Sequence, residues 1–157
     1  MGVNLANIIL ISVVLFLAVD IGFSLYNPDR LNAVLPFSVL KVIGGGVQVQ
    51  SRYTMAWEKA VDGMALEPGS RVRTEAGGHA ALSFFQGTTA KLEPGTDVII
   101  AGMENKTTEE IESVTLRQQS GKTWNQVDPL GESHFQIETP SAAVQVHGTL
   151  FATEVDE

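Results

Sequence analysis

The sequence predicts an all-β domain, a short-stranded sandwich or strand coil, preceded by a single N-terminal transmembrane α-helix. Three observations predict it. Residues 5–26 form an almost unbroken apolar run. From Leu66 onward, turn signals at Glu67-Pro68-Gly69, Gly77-Gly78, Gln86-Gly87 and Glu93-Pro94-Gly95 recur about every ten residues, the rhythm of short strands. Between Phe135 and Val155, apolar and polar side chains alternate with period two, as in half-buried strands. The chain therefore divides into a short tail (1–4), the helix (5–26), a juxtamembrane linker (27–37) and the β domain (38–157).

The helix comes first. Its 22 residues would rise about 33 Å, against a hydrocarbon core of about 30 Å. Fourteen of them are Leu, Ile, Val or Phe. At about −0.3 to −0.6 kcal/mol each, they outweigh about +3 kcal/mol for a central Asp20. No basic n-region and no small-x-small cleavage site accompany the run, so a retained anchor is expected rather than a signal peptide. Asp20 either sits near the headgroups or faces a partner helix, which makes it the candidate intramembrane contact. Arg30 and Lys41 follow the span and no base precedes it, so charge bias alone mildly opposes an exported C-terminal domain.

Asn27-Pro28-Asp29 ends the helix, because Pro28 steers Asn27 away from helical angles. Ser38–Ile43 is the first strand candidate. The Gly44–Gly46 turn follows, and Val47 and Val49 open the next strand. Residues 51–61 carry weak helical spacing through Tyr53, Trp57 and Val61. Later strand candidates are 71–74, 80–84, 88–92, 98–101, 113–117 and 122–127, with turns at 103–108, at Ser120-Gly121 and at 128–132. Leu-Glu-Pro-Gly occurs twice, at 66–69 and 92–95, a faint internal repeat. In the last stretch Pro140 breaks the alternation, and Gly148 marks a bulge or a close backbone approach before Phe151, Thr153 and Val155.

Charge and composition narrow the function. The formal net charge is −8, and apart from Asp20 every charge lies beyond residue 26. An acidic domain is a poor ligand for nucleic acid or for an anionic membrane surface. The absence of cysteine removes disulfides, thiolate zinc sites and thiol nucleophiles. His79, His134 and His147 are not at metal-ligand spacing in the sequence. Glu104, Glu109, Glu110 and Glu112 lack the spacing of a calcium loop and read as a solvated hairpin tip. The glycines at 44–46 lack the Gly-Lys-Ser/Thr ending of a phosphate loop. Trp57 and Trp124 read as core or interface anchors. No catalytic, cofactor-binding or metal-binding residues are assigned, and no enzyme is expected.

Thr139-Pro140 followed by Val144-Gln145-Val146-His147-Gly148-Thr149-Leu150-Phe151 resembles the segment that ends FecR-type domains. Trp57, Ala60, Gly63 and Leu66 are similar to the opening of that family. Pro68 to Thr74 resembles its next motif, and Ala80–Phe84 with Gly87-Thr88 and Leu92 the one after. The ordered set covers roughly residues 42–155. His147 stands where the family usually has Arg. The resemblance implies an extracytoplasmic all-β module of a bacterial inner-membrane protein, and thereby the orientation that charge bias withholds. Sigma-regulating members carry a long cytoplasmic tail, for which Met1–Asn4 is too short.

The expected role is therefore interaction: an assembly or scaffold subunit of an envelope complex, or alternatively a sensor or relay without the sigma-binding tail. A glycan- or peptide-binding module is permitted but not selected. The expected partners are membrane lipid around residues 5–26, and either another copy or a protein of a membrane complex. The last strand, with Phe151, Thr153 and Val155, is the candidate interaction edge.

Overall fold

The structure, a computed structural model, describes residues 37–84, 87–105, 111–129 and 134–156. Among these there is no helix, and none long and apolar enough to cross a membrane. The predicted span at 5–26 and the linker at 27–36 lie outside the described residues.

Twelve strands follow in order. They are β1 (Ser38–Val42), β2 (Val47–Gln50), β3 (Glu58–Lys59), β4 (Met64–Leu66), β5 (Arg71–Thr74), β6 (Ala80–Ser83) and β7 (Thr89–Leu92), then β8 (Asp97–Asn105), β9 (Ile111–Val127), β10 (His134–Glu138), β11 (Ala143–Val146) and β12 (Thr149–Val155). A front sheet runs β4-β1-β6-β7-β9-β12, and a back sheet runs β3-β2-β5-β8-β9-β10-β11. All pairs are antiparallel except β9 with β10. The strand β9 belongs to both sheets. Its first half pairs with β8 and β10, and its second half with β7 and β12.

Alternation in the sequence decides what enters the space between the sheets. Leu40, Leu82, Ala90 and Leu92 point in from the front sheet. Val72, Val98, Ile100, Leu116, Phe135 and Ile137 point in from the back. Each fully buried aliphatic or aromatic side chain of this kind contributes about 1.5–3 kcal/mol. Phe84, just after β6 of the front sheet, meets Phe135 of β10 in the back sheet edge-on, with ring centroids 5.9 Å apart.

The two Leu-Glu-Pro-Gly turns do equivalent work. Each carries the chain from the front sheet to the back, from β4 into β5 and from β7 into β8. Strands β5 and β8 pair with Val72 opposite Val98, residues separated by the same offset as the turns. The hydrogen bonds obey the same symmetry. Gly69 N donates to Ile100 O (2.7 Å) and Gly95 N to Thr74 O (3.1 Å), while Ile100 N donates to Ser70 O and Thr74 N to Thr96 O, both at 2.9 Å. A local two-fold axis thus passes through the Val72–Val98 pair.

Ser120-Gly121 is not the chain reversal expected from sequence. The chain stays extended through it as one 17-residue strand, which bends from one sheet into the other. Gly121 has φ +80°, and an added Cβ would lie 2.5 Å from both Gly95 O and Thr96 Cα. The register against β8 also slips by one residue between Gln118 and Ser120, a bulge that sharpens the bend. The buried Thr96 hydroxyl fills the gap, donating to Lys122 O (2.9 Å) and accepting from Lys122 N (3.0 Å). Residues 51–61, with their weak helical spacing, form turns leading into β3.

Gly121→Ala should lower stability by at least about 2 kcal/mol, combining left-handed strain with backbone overlap. Gly45→Ala, with open space around it, should stay within about 0.5 kcal/mol. Urea unfolding of the full chain in detergent, followed by tryptophan fluorescence, checks both.

Candidate functional site: the free edge at β12

Four strands end the sheets: β3, β4, β11 and β12. Three of them are two to four residues long, as edges that avoid pairing tend to be. The seven-residue β12 is the exception. It pairs with β9 from Thr149–Val127 to Val155–Gly121, and among the described residues it has no partner on its other side.

None of its side chains is fully buried. Phe151, Thr153 and Val155 alternate toward the interior and are half-covered, whereas Leu150, Ala152 and Glu154 are exposed. The three residues expected to make the interaction edge therefore lie on it by backbone, with side chains turned inward. Phe151 packs against the core. Thr153 enters a buried polar chain that sequence reading missed.

That chain sits under the bend of β9. Gln118 and Asn125 are wholly buried, and Thr123 nearly so. Thr153 Oγ1 lies 2.6 Å from Gln118 Oε1 and 2.7 Å from Thr123 Oγ1, while Thr123 Oγ1 lies 3.1 Å from Gln118 Oε1. Two hydroxyl protons cannot serve three contacts. The arrangement that puts the protons on the two shortest contacts has Thr123 donating to Thr153 and Thr153 donating to Gln118, leaving the 3.1 Å Thr123–Gln118 contact without one. Asn125 Nδ2 donates to Thr123 Oγ1 (2.9 Å), and Gln118 Nε2 closes the chain on Gly121 O (2.6 Å). Asn125 Oδ1 remains buried without a protein partner. These bonds fasten the edge strand where apolar packing does not.

The arginines on the back sheet's outer face are engaged instead. Arg71 makes two 2.7 Å bonds to the Asp97 carboxylate, and this hydrogen bonding raises its guanidinium pKa against the effect of burial, with charge attraction adding to it. Arg73 holds Gln48 and stacks 4.1 Å above Trp57, and Arg117 pairs with Glu138 at 3.0 Å. Trp57 is thus a half-buried cover for two arginines, and Trp124 is 44% exposed, so neither is a core anchor.

His134 and His147, unrelated by sequence spacing, become cross-strand neighbours of the β10–β11 hairpin, with ring centroids 5.3 Å apart. The turn at Thr139–Ala142, where Thr139 Oγ1 accepts from Ala142 N (3.0 Å), creates this pairing. Two imidazoles fall short of a metal site, and among the described residues no group of three potential ligands occurs. Gly148, at φ +134° and against Pro129, is the close approach anticipated, where the chain crosses from β11 to β12. Asp20, Glu109 and Glu110 lie outside the described residues.

Thr153→Val should cost about 1 kcal/mol, since it removes the 2.6 Å bond to Gln118 Oε1 and leaves Thr123 to supply that oxygen over 3.1 Å. Hydrogen exchange should then quicken at β12 amides before those of β5 or β8.

A comparison with protein families matches residues 70–157 to FecR (FecR protein), from the start of β5 through β12. The Trp57–Leu66 similarity falls outside the matched span. Neither the curated proteins nor the solved structures give a match. The match takes in β9, its bend and the free edge, and the chain belongs to the FecR family.

Proposed function

We propose that this chain is a single-pass protein of the bacterial inner membrane, anchored by residues 5–26, whose extracytoplasmic FecR domain serves envelope signal relay through protein–protein contact. Membership of the FecR family supports the relay, because sensing and relay at the envelope are the roles associated with that domain. The observation that carries the contact is the edge of β12, which is unpaired among the described residues. A row of free backbone donors and acceptors offers an extended partner segment main-chain hydrogen bonds, and Leu150 and Ala152 offer it apolar contact. Asp20 would meet a partner helix within the bilayer.

The same edge favours a second reading, an assembly or scaffold subunit whose partner is another copy. One experiment tests both. A photo-crosslinking residue at position 152 in living cells should give a discrete adduct that the same residue at Glu75, on an exposed turn, does not. An adduct at twice the chain's mass denotes self-assembly, and any other mass a separate partner. With the crosslinker kept at position 152, Leu150→Lys should abolish the adduct without lowering the melting temperature, since edge lysines discourage strand addition. Adducts from both positions alike, or from neither, would refute an interaction at β12.

A further inference from the structure

The outer face of the front sheet carries no function in the account so far. Its composition is at odds with the rest of an acidic chain. Of nine large hydrophobic residues exposed in the described structure, five project from this face or its leading end: Phe37, Val39, Ile43, Trp124 and Leu150. Register lines up Lys41, Ala81, Lys91, Trp124 and Ala152 in one row across five strands. Lys122 lies beside them, with its ammonium 5.6 Å from the Trp124 ring centroid. The small side chains of Ala81 and Ser83 leave a shallow depression of 690 Å³ between Lys41, Lys91 and Trp124.

The acids on this face are already engaged. Glu154 pairs with Lys122 at 3.0 Å, and Glu93 lies 3.2 Å from His79 Nδ1. Among the described residues neither Lys41 nor Lys91 has a carboxylate partner. On the back sheet's outer face, by contrast, Arg71, Arg73 and Arg117 are all bonded.

Lysines standing among aliphatic side chains beside an exposed tryptophan make a surface suited to a bilayer interface. The ammonium groups reach phosphates while their stems and the indole lie at headgroup depth. Where the face lies along the chain points to the same occupant. Its first strand, β1, is the first element of the domain, and only residues 27–37 separate it from the expected span. Fully extended, those residues reach about 40 Å, so the domain is held close to the lipid at high effective concentration.

We infer that the outer face of the front sheet docks on anionic lipid headgroups of the membrane that anchors the chain. The inference rests on the reading of residues 5–26 as that anchor. Docking in this way leaves the back sheet turned to solvent. It also restricts the directions from which a partner can reach β12. The net charge of −8 does not oppose it, because the charge that matters is local: a Debye length of about 8 Å screens acids on the far side.

The test uses the full chain carrying Trp57→Phe, so that Trp124 is the only tryptophan. It is reconstituted into vesicles of phosphatidylcholine alone, or mixed with phosphatidylglycerol, each containing acyl-brominated lipid. Trp124 emission should be quenched in the anionic vesicles and recover with salt. Lys41→Gln and Lys91→Gln should each lower the docked-to-free ratio about fivefold, with melting temperatures unchanged. An unquenched Trp124 in a chain that survives alkaline carbonate extraction would overturn the docking and leave the anchor standing. A chain stripped by carbonate would instead refute the anchor, and docking would then stand or fall on quenching by vesicles added to the free protein. Protection of Trp124 by polyglutamate, polygalacturonate or rising protein concentration, without quenching by lipid, would assign the face to an acidic peptide, an acidic glycan or a second copy and overturn the inference.

Discussion

The fold depends on one strand changing sheets. Because β9 bends at Gly121 and continues, both sheets share a spine along the core. The bend leaves backbone and side-chain polar groups in a region the core would otherwise fill. Thr96, Gln118, Thr123 and Asn125 satisfy most of them. The same residues reach Thr153, so the geometry of the bend and the attachment of the edge strand are one problem with one solution. Buried polar chains of this kind specify register more than they add stability.

The all-β class was legible because alternation and turn chemistry act locally. Val72 and Thr74 face inward in β5, as Ala90 and Leu92 do in β7, and glycines with positive φ sit at the predicted turns after Pro68 and Pro94. What escaped local reading was the handling of Ser120-Gly121. A Ser-Gly pair looks the same whether the chain reverses or merely kinks, and only the pairing of β7, β8, β10 and β12 along both halves of β9 decides. The two-residue β3 and three-residue β4 carry too few positions for any period to register.

The candidate site was half legible. The alternation of Phe151, Thr153 and Val155 marked a strand, and its open side could be anticipated. The side chains that fasten it could not, since Gln118, Thr123 and Asn125 look like surface residues until the bend buries them. Of the two places open to Trp124, core or interface, the structure excludes the core, because its parity along β9 is opposite to Thr123 and Asn125, which face in. Composition likewise concealed the basic face of the front sheet, because an average over the chain erases a local excess.

Sharing β9 between two sheets also governs the order in which the domain can form. Two of its neighbours, β7 and β8, precede it in the chain, and two, β10 and β12, come after it. Hairpins such as β6–β7 close over short loops, but the two sheets cannot share β9 before it is available, nor can β9 be flanked on both sides before β10 and β12 are. Loop-closure entropy is met at several long separations before the core rewards it. A chain that has made β7 and β8 but not yet β10 and β12 would thus hold β9 on one flank only along both halves, and the later strands would add the remaining contacts cooperatively.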